Sequence, residues 1–181
     1  GIDMILIGDS MGNVLYGFDN TIPVDLEMII RHTAAVSRTT KTPFIVADLP
    51  FLSYQKSVEQ AVESAGRLLK EGGAQAVKIE GCGDYLLQVV DRYHEIGIPV
   101  MGHLGLTPQF VHQFGGFSVQ GKERTAADKI KNDFIRLMNA GCFSIVLENI
   151  PNELAAELKE ISRIPIIGIG TGSGVLGQVL V

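Results

Sequence analysis

Six short apolar runs, separated by segments of helix length, constrain the fold of this chain more than any other feature of its sequence. The runs are rich in Val, Ile and Leu and cover residues 4–8, 43–47, 75–79, 98–102, 143–147 and 164–170. Near-continuous apolar runs of this length are typical of parallel strands that are covered on both faces. Because they alternate with helical segments, they predict an α/β fold.

The segments between the runs show helical periodicity. They predict helices over residues 24–37, 57–71, 84–96, 126–140 and 152–161. Ser57, followed three residues later by Gln60, resembles a capping box. Asp84 and Asn152 are the predicted N-caps of their helices, since short polar side chains accept hydrogen bonds from the first helical N–H groups.

Two architectures suit this strand–helix alternation, an open doubly wound sheet and part of a (β/α)8 TIM barrel. No G-x-G-x-x-G sequence follows the first run, which weakens a dinucleotide-binding version of the open sheet. The 181 residues contain no linker, low-complexity tract or repeat, so residues 1–181 are predicted to form a single domain.

Polar and ionisable residues follow or close five successive runs. In chain order they are Asp9 with Ser10, Asp48, Glu80, His103 and Glu148. In barrels the carboxyl ends of the strands form the rim that carries the catalytic groups. This register favours a barrel over an open sheet and an active site over a chance polar rim.

The stretch "AVKIEG", residues 76–81, places Lys78 and Glu80 on one face of a predicted buried strand. Such residues are buried only when they are paired or bound to a ligand. Three converging carboxylates, Asp9, Asp48 and Glu80, require positive charge among them. Because the available ligands are hard oxygens, Mg²⁺ is favoured over Zn²⁺, and it points to a chelating substrate such as a 2-oxo acid. Glu148 would then be free to move a proton.

Composition excludes several classes of partner. The net charge is −5, with acids and bases interspersed, so the sequence predicts neither nucleic acid nor membrane as a partner. No run approaches the roughly 20 apolar residues of a membrane-spanning helix. Cys82 and Cys142 form no C-x-x-C motif and suit a reducing compartment, which predicts a cytoplasmic protein.

Motifs along nearly the whole chain resemble those of the ketopantoate hydroxymethyltransferase family. They are "LIGDSMGNVLYGFDNTIPVDLEMIIRHTAAV", "VADLPF", "AVKIEG", "GHLGLTPQ", "FGGFSVQG" and "IPIIGIGTG". The resemblance implies a (β/α)8 TIM barrel of the phosphoenolpyruvate/pyruvate type, assembled as a homodecamer, that acts in pantothenate (coenzyme A) synthesis. It also implies transfer of a hydroxymethyl group from 5,10-methylenetetrahydrofolate to 3-methyl-2-oxobutanoate through a Mg²⁺-stabilised enolate, giving 2-dehydropantoate and tetrahydrofolate.

The same resemblance assigns roles to individual residues. Asp9, Asp48 and Glu80 would be the Mg²⁺ ligands, with some contacts possible through water. Asp9, Ser10, Asp48 and Lys78 would contact the 2-oxo acid, and His103 would lie close to it. Glu148 would accept the proton from C3.

By this resemblance the chain covers approximately strands 2 to 7 and the start of strand 8 of the barrel. We therefore expect a barrel truncated at both ends, whose parent chain is longer by about one or two strand–helix units at each end. In isolation such a chain would expose two sheet edges, which is an aggregation hazard.

Two segments and three rival functions stay open at this stage. Residues 104–122 are either a lid or folate contact, with Gly115 and Gly116 as a hinge, or a surface or subunit-contact loop. "GIGTGSG", residues 168–174, either binds a phosphate or walls the substrate site. The rivals are a Mg²⁺-dependent 2-oxo-acid lyase, a phosphonopyruvate-type mutase and a non-catalytic barrel piece retained for assembly.

Overall fold

The computed structural model describes residues 1–114 and 119–181. Over these residues the chain forms one sheet of parallel strands that pair in sequence order. The strands are β1 (Met4–Ile7), β2 (Phe44–Asp48), β3 (Ala76–Lys78), β4 (Val100–Gly105), β5 (Ser144–Glu148), β6 (Ile166–Ile169) and β7 (Gly177–Gln178). The six predicted runs are thus six of these strands, and β7 follows them.

Helices connect successive strands from β1 to β6, whereas β7 follows β6 without one. In chain order they are α1 (Met11–Val14), α2 (Leu26–Thr39), α3 (Val58–Lys70), α4 (Asp84–Glu95), a 3-10 turn (Pro108–Phe110), α5 (Val111–Phe114), α6 (Arg124–Ala140) and α7 (Asn152–Ile161). Among the residues that the structure describes, no helix combines the length and the apolar character that crossing a membrane requires.

Sequence-order pairing distinguishes a barrel from a doubly wound sheet, in which the strand order reverses at a switch point. The two faces of the sheet agree with this distinction. Ile45, Val77 and Ile145 point to the helices and join the large core, whereas Val46 and Val146 lie in a separate cluster on the other face. The predicted (β/α) barrel arrangement is confirmed for the seven described strands.

The smaller cluster is made by the strands alone. Its buried members are Val46, Ala76, Met101 and Val146, and partly buried side chains from β1, β2, β6 and the residue before β5 pack against them. Successive side chains of a strand point to opposite faces, so every second residue of a run contributes to this inner layer. The runs read as continuously apolar because both faces are covered.

Local capping explains where two of the helices begin. The Asp25 side chain accepts a hydrogen bond from the Met28 N–H at 2.8 Å, and Ser57 Oγ accepts one from the Gln60 N–H at 3.2 Å. The predicted capping box is only half formed, because the Gln60 amide oxygen accepts from the N–H of Lys56.

Two of the predicted caps are wrong by one residue. Gly83 is the N-cap of α4, and Asp84 is the first helical residue, where its carboxylate pairs with Arg136. Pro151 precedes α7 in the same way, and Asn152 opens that helix. An acidic or polar residue is also favourable in the first turn, where helix N–H groups are unpaired.

The predicted loop at residues 104–122 contains more regular structure than its sequence suggested. It finishes β4 and then forms the 3-10 turn and α5. His112 lies on α5 and is exposed, as expected for a residue outside the site. Gly115 and Gly116, the expected hinge, lie outside the described residues.

Candidate active site

Five strands bring their carboxyl ends to one edge of the sheet, and the predicted residues meet there. Asp48, Lys78 and Glu148 are the last residues of β2, β3 and β5, and His103 lies within β4. Together with Ser10 and other residues they line a cavity of about 300 Å³. The structure therefore brings together the site residues that the sequence predicted from separate strands.

Burial of charge is extreme at this edge. Asp9, Asp48, Lys78, Glu80 and His103 are each at most 3% exposed. Ionised side chains lose their hydration when buried and persist only with partners. The contacts among these residues therefore decide what the site can do.

Lys78 is the cation at the centre of the cluster. Its Nζ lies 2.7 Å from Asp48 Oδ1 and 3.5 Å from Glu80 Oε1, and 3.2 Å from His103 Nδ1. Burial alone would lower the pKa of Lys78, but the Asp48, Glu80 and Asp9 carboxylates outweigh it and raise the pKa above its usual value. The neighbouring carboxylates therefore favour the charged form of Lys78, which faces the cavity.

His103 bridges two carboxylates. Its Nδ1 lies 3.4 Å from Glu80 Oε1 and its Nε2 lies 3.2 Å from Glu148 Oε2, although the Nε2 contact lacks the alignment of a directed hydrogen bond. Burial and the Lys78 charge disfavour the charged imidazole, but Glu148 and Glu80 raise the net pKa of His103. The imidazole thus connects the buried cluster to Glu148, whose side chain is 21% exposed.

Asp9 and Asp48 form an acidic pair. The Asp9 backbone N–H donates to Asp48 Oδ2 at 2.9 Å. Burial, with the nearby Asp48 and Glu80 charges, raises the pKa of Asp9 to about 8. Burial also raises the pKa of Asp48, against the lowering effect of Lys78. Three buried carboxylates around one ammonium leave an excess of negative charge, which a divalent cation would offset.

Glu80, like Asp48, has partners on both of its carboxylate oxygens. Oε1 faces Lys78 and His103, and Oε2 accepts a hydrogen bond from the Gln109 backbone N–H at 2.9 Å. Burial would raise the pKa of Glu80, but Lys78 and His103 hold the net pKa below its usual value. Glu80 is therefore an ionised member of the cluster whose oxygens already have partners.

These contacts bear on the predicted Mg²⁺ site. Within residues 1–114 and 119–181, no three or more His, Cys, Asp or Glu side chains form a ready-made metal cage. Mg²⁺ is usually bound by only one or two carboxylates and retains water ligands. Asp48 Oδ1 lies 2.7 Å from Lys78 Nζ without the alignment of a directed hydrogen bond, and Asp9 lies beside it. The residues Asp9, Asp48 and Glu80 supply the hard oxygen ligands that Mg²⁺ prefers, with water completing its coordination.

Gly8 contributes space to the site and was missed by sequence reasoning. A Cβ atom at this position would lie 3.0 Å from Ser10 Oγ and 3.4 Å from Asp48 Oδ2. Glycine therefore leaves room for both side chains at the cavity. The "GDS" sequence shows the glycine, but its use depends on how Asp48 approaches from the next strand.

Gly105 has a related role at the end of β4. Its φ of +90° suits glycine, and a Cβ there would lie 2.2 Å from the carbonyl oxygen of Glu148. Without a side chain, the chain turns closely over β5, and the Leu106 N–H donates to that carbonyl at 2.8 Å. The backbone that carries Glu148 is fixed by this contact.

The glycine-rich segment after β6 lies beside the same cavity. Ile169 lines it, together with Val179 and Val181 from the end of the chain. This placement favours the view that residues 168–174 wall the site over the view that they bind a phosphate.

Gln109 and Tyr54 also belong to the buried region and were missed as functional residues. The Gln109 side chain donates to Asp9 Oδ2 at 2.9 Å. The Tyr54 hydroxyl donates to Gln109 Oε1 at 2.9 Å and accepts from the Glu80 N–H at 3.2 Å. Gln109 stands in the quoted "GHLGLTPQ" motif, so a signal for it was present. Tyr54 lies in a loop with no periodic signal.

Comparison with known sequences identifies relatives of the whole chain. A sequence model of one family, ketopantoate hydroxymethyltransferase, matches residues 1–181. A 3-methyl-2-oxobutanoate hydroxymethyltransferase of Thermoanaerobacter sp. (strain X514) is 55% identical over 181 residues, which cover all of this chain and 66% of the relative. The Synechocystis sp. (strain ATCC 27184 / PCC 6803 / Kazusa) protein of the same name is 54% identical over 181 residues, covering all of this chain and 69% of its own length.

Solved structures resemble the fold at low sequence identity. A 2,3-dimethylmalate lyase of the PEP mutase/isocitrate lyase superfamily matches 92% of this chain and 59% of its own, with a TM-score of 0.66 and 16% identity. A lyase/mutase from Burkholderia cenocepacia J2315, described as putative, matches 98% of this chain and 64% of its own, with a TM-score of 0.68 and 16% identity. At such identity the likeness shows the fold alone.

Proposed function

The chain belongs to the ketopantoate hydroxymethyltransferase family, and on that premise we propose that the protein hydroxymethylates 3-methyl-2-oxobutanoate. The one-carbon unit comes from 5,10-methylenetetrahydrofolate and, with water, the products are 2-dehydropantoate and tetrahydrofolate. The proposal places the protein in pantothenate synthesis. Its support is the name shared by relatives at 54–55% identity, which this chain matches over about two thirds of their length.

One observation carries the chemical part of the proposal. Lys78 is buried among Asp48, Glu80 and His103, and this cluster opens onto a cavity that Glu148 also lines. A 2-oxo acid has a carboxylate and a keto oxygen that need positive charge beside them. The carbon next to the keto group needs a base within reach of its proton. The cluster supplies the positive charge, and Glu148, which lines the same cavity, supplies the base.

The 2-oxo acid binds at the buried end of the cavity. Lys78 faces the substrate oxygens with a charge that burial does not remove, and Ser10 donates a hydrogen bond to the substrate carboxylate. Asp9, Asp48 and Glu80 would hold Mg²⁺, some of them through water. When bound, Mg²⁺ supplies positive charge that polarises the keto group.

Glu148 accepts the C3 proton of the substrate. It ends β5 at the mouth of the cluster and is partly exposed, so it can reach a bound molecule and exchange its proton with solvent. His103 Nε2 lies 3.2 Å from its carboxylate. Once deprotonated, C3 forms a bond to the one-carbon carbon, and water supplies the oxygen of the new hydroxymethyl group. Both C–N bonds of the methylene bridge break, and the two folate nitrogens take up the proton from Glu148 and one proton of the water.

We further propose a cytoplasmic protein that self-associates as a homodecamer. These statements rest on the sequence resemblance and on the cysteine pattern. Sedimentation velocity of the natural protein tests the assembly, since a decamer and a monomer differ tenfold in mass. A protein that sediments as a monomer at micromolar concentration would contradict the decamer.

The test of the proposed function is product formation by the natural protein that contains this sequence. We expect 2-dehydropantoate, measured by mass spectrometry, only when 5,10-methylenetetrahydrofolate and Mg²⁺ are both present. Glu148→Gln should lower turnover by about 10²–10⁴-fold, because general-base catalysis contributes that much. Glu153→Gln, an exposed residue in the first turn of α7, is the matched control and should change turnover little.

Two outcomes would contradict the proposal. A folded protein that makes no 2-dehydropantoate under these conditions would exclude the transferase. Cleavage of a carbon–carbon bond in a 2-oxo acid or its adduct, without any folate, would instead support the lyase alternative.

A further inference from the structure

Gln109 is a buried amide that touches two of the three carboxylates predicted to surround Mg²⁺. It lies in the 3-10 turn after β4 and is only 4% exposed. A buried amide costs stability unless its hydrogen-bonding groups are paired. Each of its groups has a partner, and two of the partners belong to the cluster.

The amide nitrogen of Gln109 makes two hydrogen bonds. Nε2 donates to Asp9 Oδ2 at 2.9 Å and to the backbone carbonyl of Leu49 at 2.9 Å. The carbonyl oxygen of Leu49 can only accept, so this end of the amide must be the nitrogen. The Leu49 carbonyl, one residue beyond the end of β2, thereby fixes the direction from which Asp9 receives its hydrogen bond.

The amide oxygen is fixed from the opposite side. Gln109 Oε1 accepts from the Tyr54 hydroxyl at 2.9 Å and from Gln55 Nε2 at 3.3 Å. Because the Tyr54 oxygen accepts the N–H of Glu80, its own proton is free for Gln109. A flipped amide would place an oxygen against two acceptors and lose both bonds of the nitrogen.

The backbone of Gln109 holds the second carboxylate. Its N–H donates to Glu80 Oε2 at 2.9 Å, which leaves Oε1 directed to Lys78 and His103. One residue thus sets the rotation of Asp9 with its side chain and that of Glu80 with its main chain. No other described residue is recorded in a hydrogen bond to both carboxylates.

We propose that Gln109 is a positioning residue, oriented by Tyr54, that holds Asp9 and Glu80 in the arrangement needed to bind Mg²⁺ and the 2-oxo acid. The inference rests on the proposed function and deepens it. Gln109 does not touch the reacting atoms in this account. It acts through the two carboxylates, in the way that outer hydrogen-bond partners orient metal ligands.

The experiment compares two Gln→Met variants of the natural protein by titration calorimetry with MgCl₂. Gln109→Met keeps the side-chain length and removes the amide. Gln75→Met is the matched control: Gln75 Oε1 accepts the Ile45 N–H at 3.0 Å, just before β3 and thus at the opposite end of the strands. We expect Mg²⁺ affinity to fall roughly 10–100-fold for Gln109→Met and to stay within about twofold for Gln75→Met.

Kinetics and a second variant separate positioning from mere packing. Gln109→Met should lower kcat at saturating Mg²⁺, whereas a packing role would lower the melting temperature and leave kcat unchanged. Tyr54→Phe removes only the hydroxyl that orients the amide. It should weaken Mg²⁺ binding in the same direction by roughly threefold to tenfold, and in the double variant it should add less than about twofold.

The outcomes distinguish this inference from the proposed function. Wild-type protein that neither binds Mg²⁺ nor forms 2-dehydropantoate overturns the function itself. Wild-type protein that does both, with Gln109→Met indistinguishable from Gln75→Met in Mg²⁺ affinity and kcat, overturns the role of Gln109 alone. If Gln109→Met does not fold, Tyr54→Phe decides, and unchanged Mg²⁺ affinity in that variant overturns the inference.

Discussion

The inner face of the sheet has two layers that are made by the same strands but differ completely in chemistry. Each of four strands contributes an apolar residue and, two positions later, an ionisable one. The pairs are Val46 and Asp48, Ala76 and Lys78, Met101 and His103, and Val146 and Glu148. Two residues of a strand span about 7 Å, so a buried apolar layer gives way to a buried charged layer over that distance.

The two layers are stabilised in opposite ways. Fully burying an aliphatic or Met side chain contributes about 1.5–3 kcal/mol, so the apolar layer favours folding by itself. Burying an ion costs several kcal/mol before its partners are counted. The charged layer is therefore held together only by its mutual contacts, with Lys78 as the common partner of Asp48 and Glu80. The charged layer therefore costs folding free energy, and it carries the groups that the proposed reaction uses.

Removing the central cation should have the largest effect on this balance. Lys78→Met leaves the buried carboxylates without their ammonium partner, and breaking a buried pair in this way costs about 3–5 kcal/mol. We expect that loss in the free energy of unfolding, measured with urea at pH 8, together with loss of 2-oxo-acid binding. Lys56→Met, on an exposed side chain, is the control. Equal stabilities of the two variants would show that the charged layer is not balanced by Lys78.

A pH titration of the metal-free protein should reveal the raised pKa of Asp9, which results from burial and then from the nearby Asp48 and Glu80 charges. The pKa of Asp9 is about 8 in the fold against a usual value of 3.8, so the folded state binds a proton that the unfolded state releases. This contribution to stability is complete below pH 4 and is lost as the pH rises to about 8. At about 1.4 kcal/mol per pKa unit, the free energy of unfolding should fall by several kcal/mol across this window.

Asp9→Asn is the control for that titration because it removes the titrating group at nearly constant volume. Between pH 4 and pH 8 the wild type should lose several kcal/mol of unfolding free energy relative to the variant, and MgCl₂ should restore it at pH 8. Parallel pH profiles of the two proteins would contradict a raised pKa at Asp9.

A cavity in the apolar layer should have a smaller and different effect. Met101 is 2% exposed and lies two residues before His103 on β4, on the same face of the strand. Met101→Ala should cost about 2 kcal/mol of unfolding free energy, at the lower end of the range for such truncations. Turnover per folded molecule should stay within about threefold, since no charged contact is removed. A large loss of turnover with little loss of stability would show that the two layers are not separable.

Much of the fold could be predicted because its causes are local and repeated. The β-branched runs give the strands, and Ser57 and Asp25 cap α3 and α2 through neighbours three residues away. The caps of α4 and α7 were misplaced for an equally local reason. Asp84 and Asn152 suit both the cap and the first helical position, so only the backbone of Gly83 and Pro151 decides between them.

The residues of the site were predicted from the strand ends, but the different contacts of each residue were not. Asp9, Asp48 and Glu80 look equivalent in sequence, yet Glu80 contacts Lys78, His103 and the Gln109 N–H, whereas Asp9 receives its hydrogen bond from the Gln109 side chain. The contacts of Glu80 depend on distances between residues up to 29 positions apart. For the same reason the contact of Gln109 with Asp9, across 100 positions, could not be predicted, although Gln109 stands in the quoted "GHLGLTPQ" motif.

Exchange of the C3 proton of 3-methyl-2-oxobutanoate tests the central claim most directly, because it needs the charged layer and Glu148 but no folate. The natural protein is incubated with the 2-oxo acid in D₂O, and the C3 proton is followed by NMR with MgCl₂ or with EDTA. We predict loss of the C3 signal with Mg²⁺, and its retention with EDTA or with Glu148→Gln. A folded, Mg²⁺-loaded protein that leaves the C3 proton in place would contradict the account.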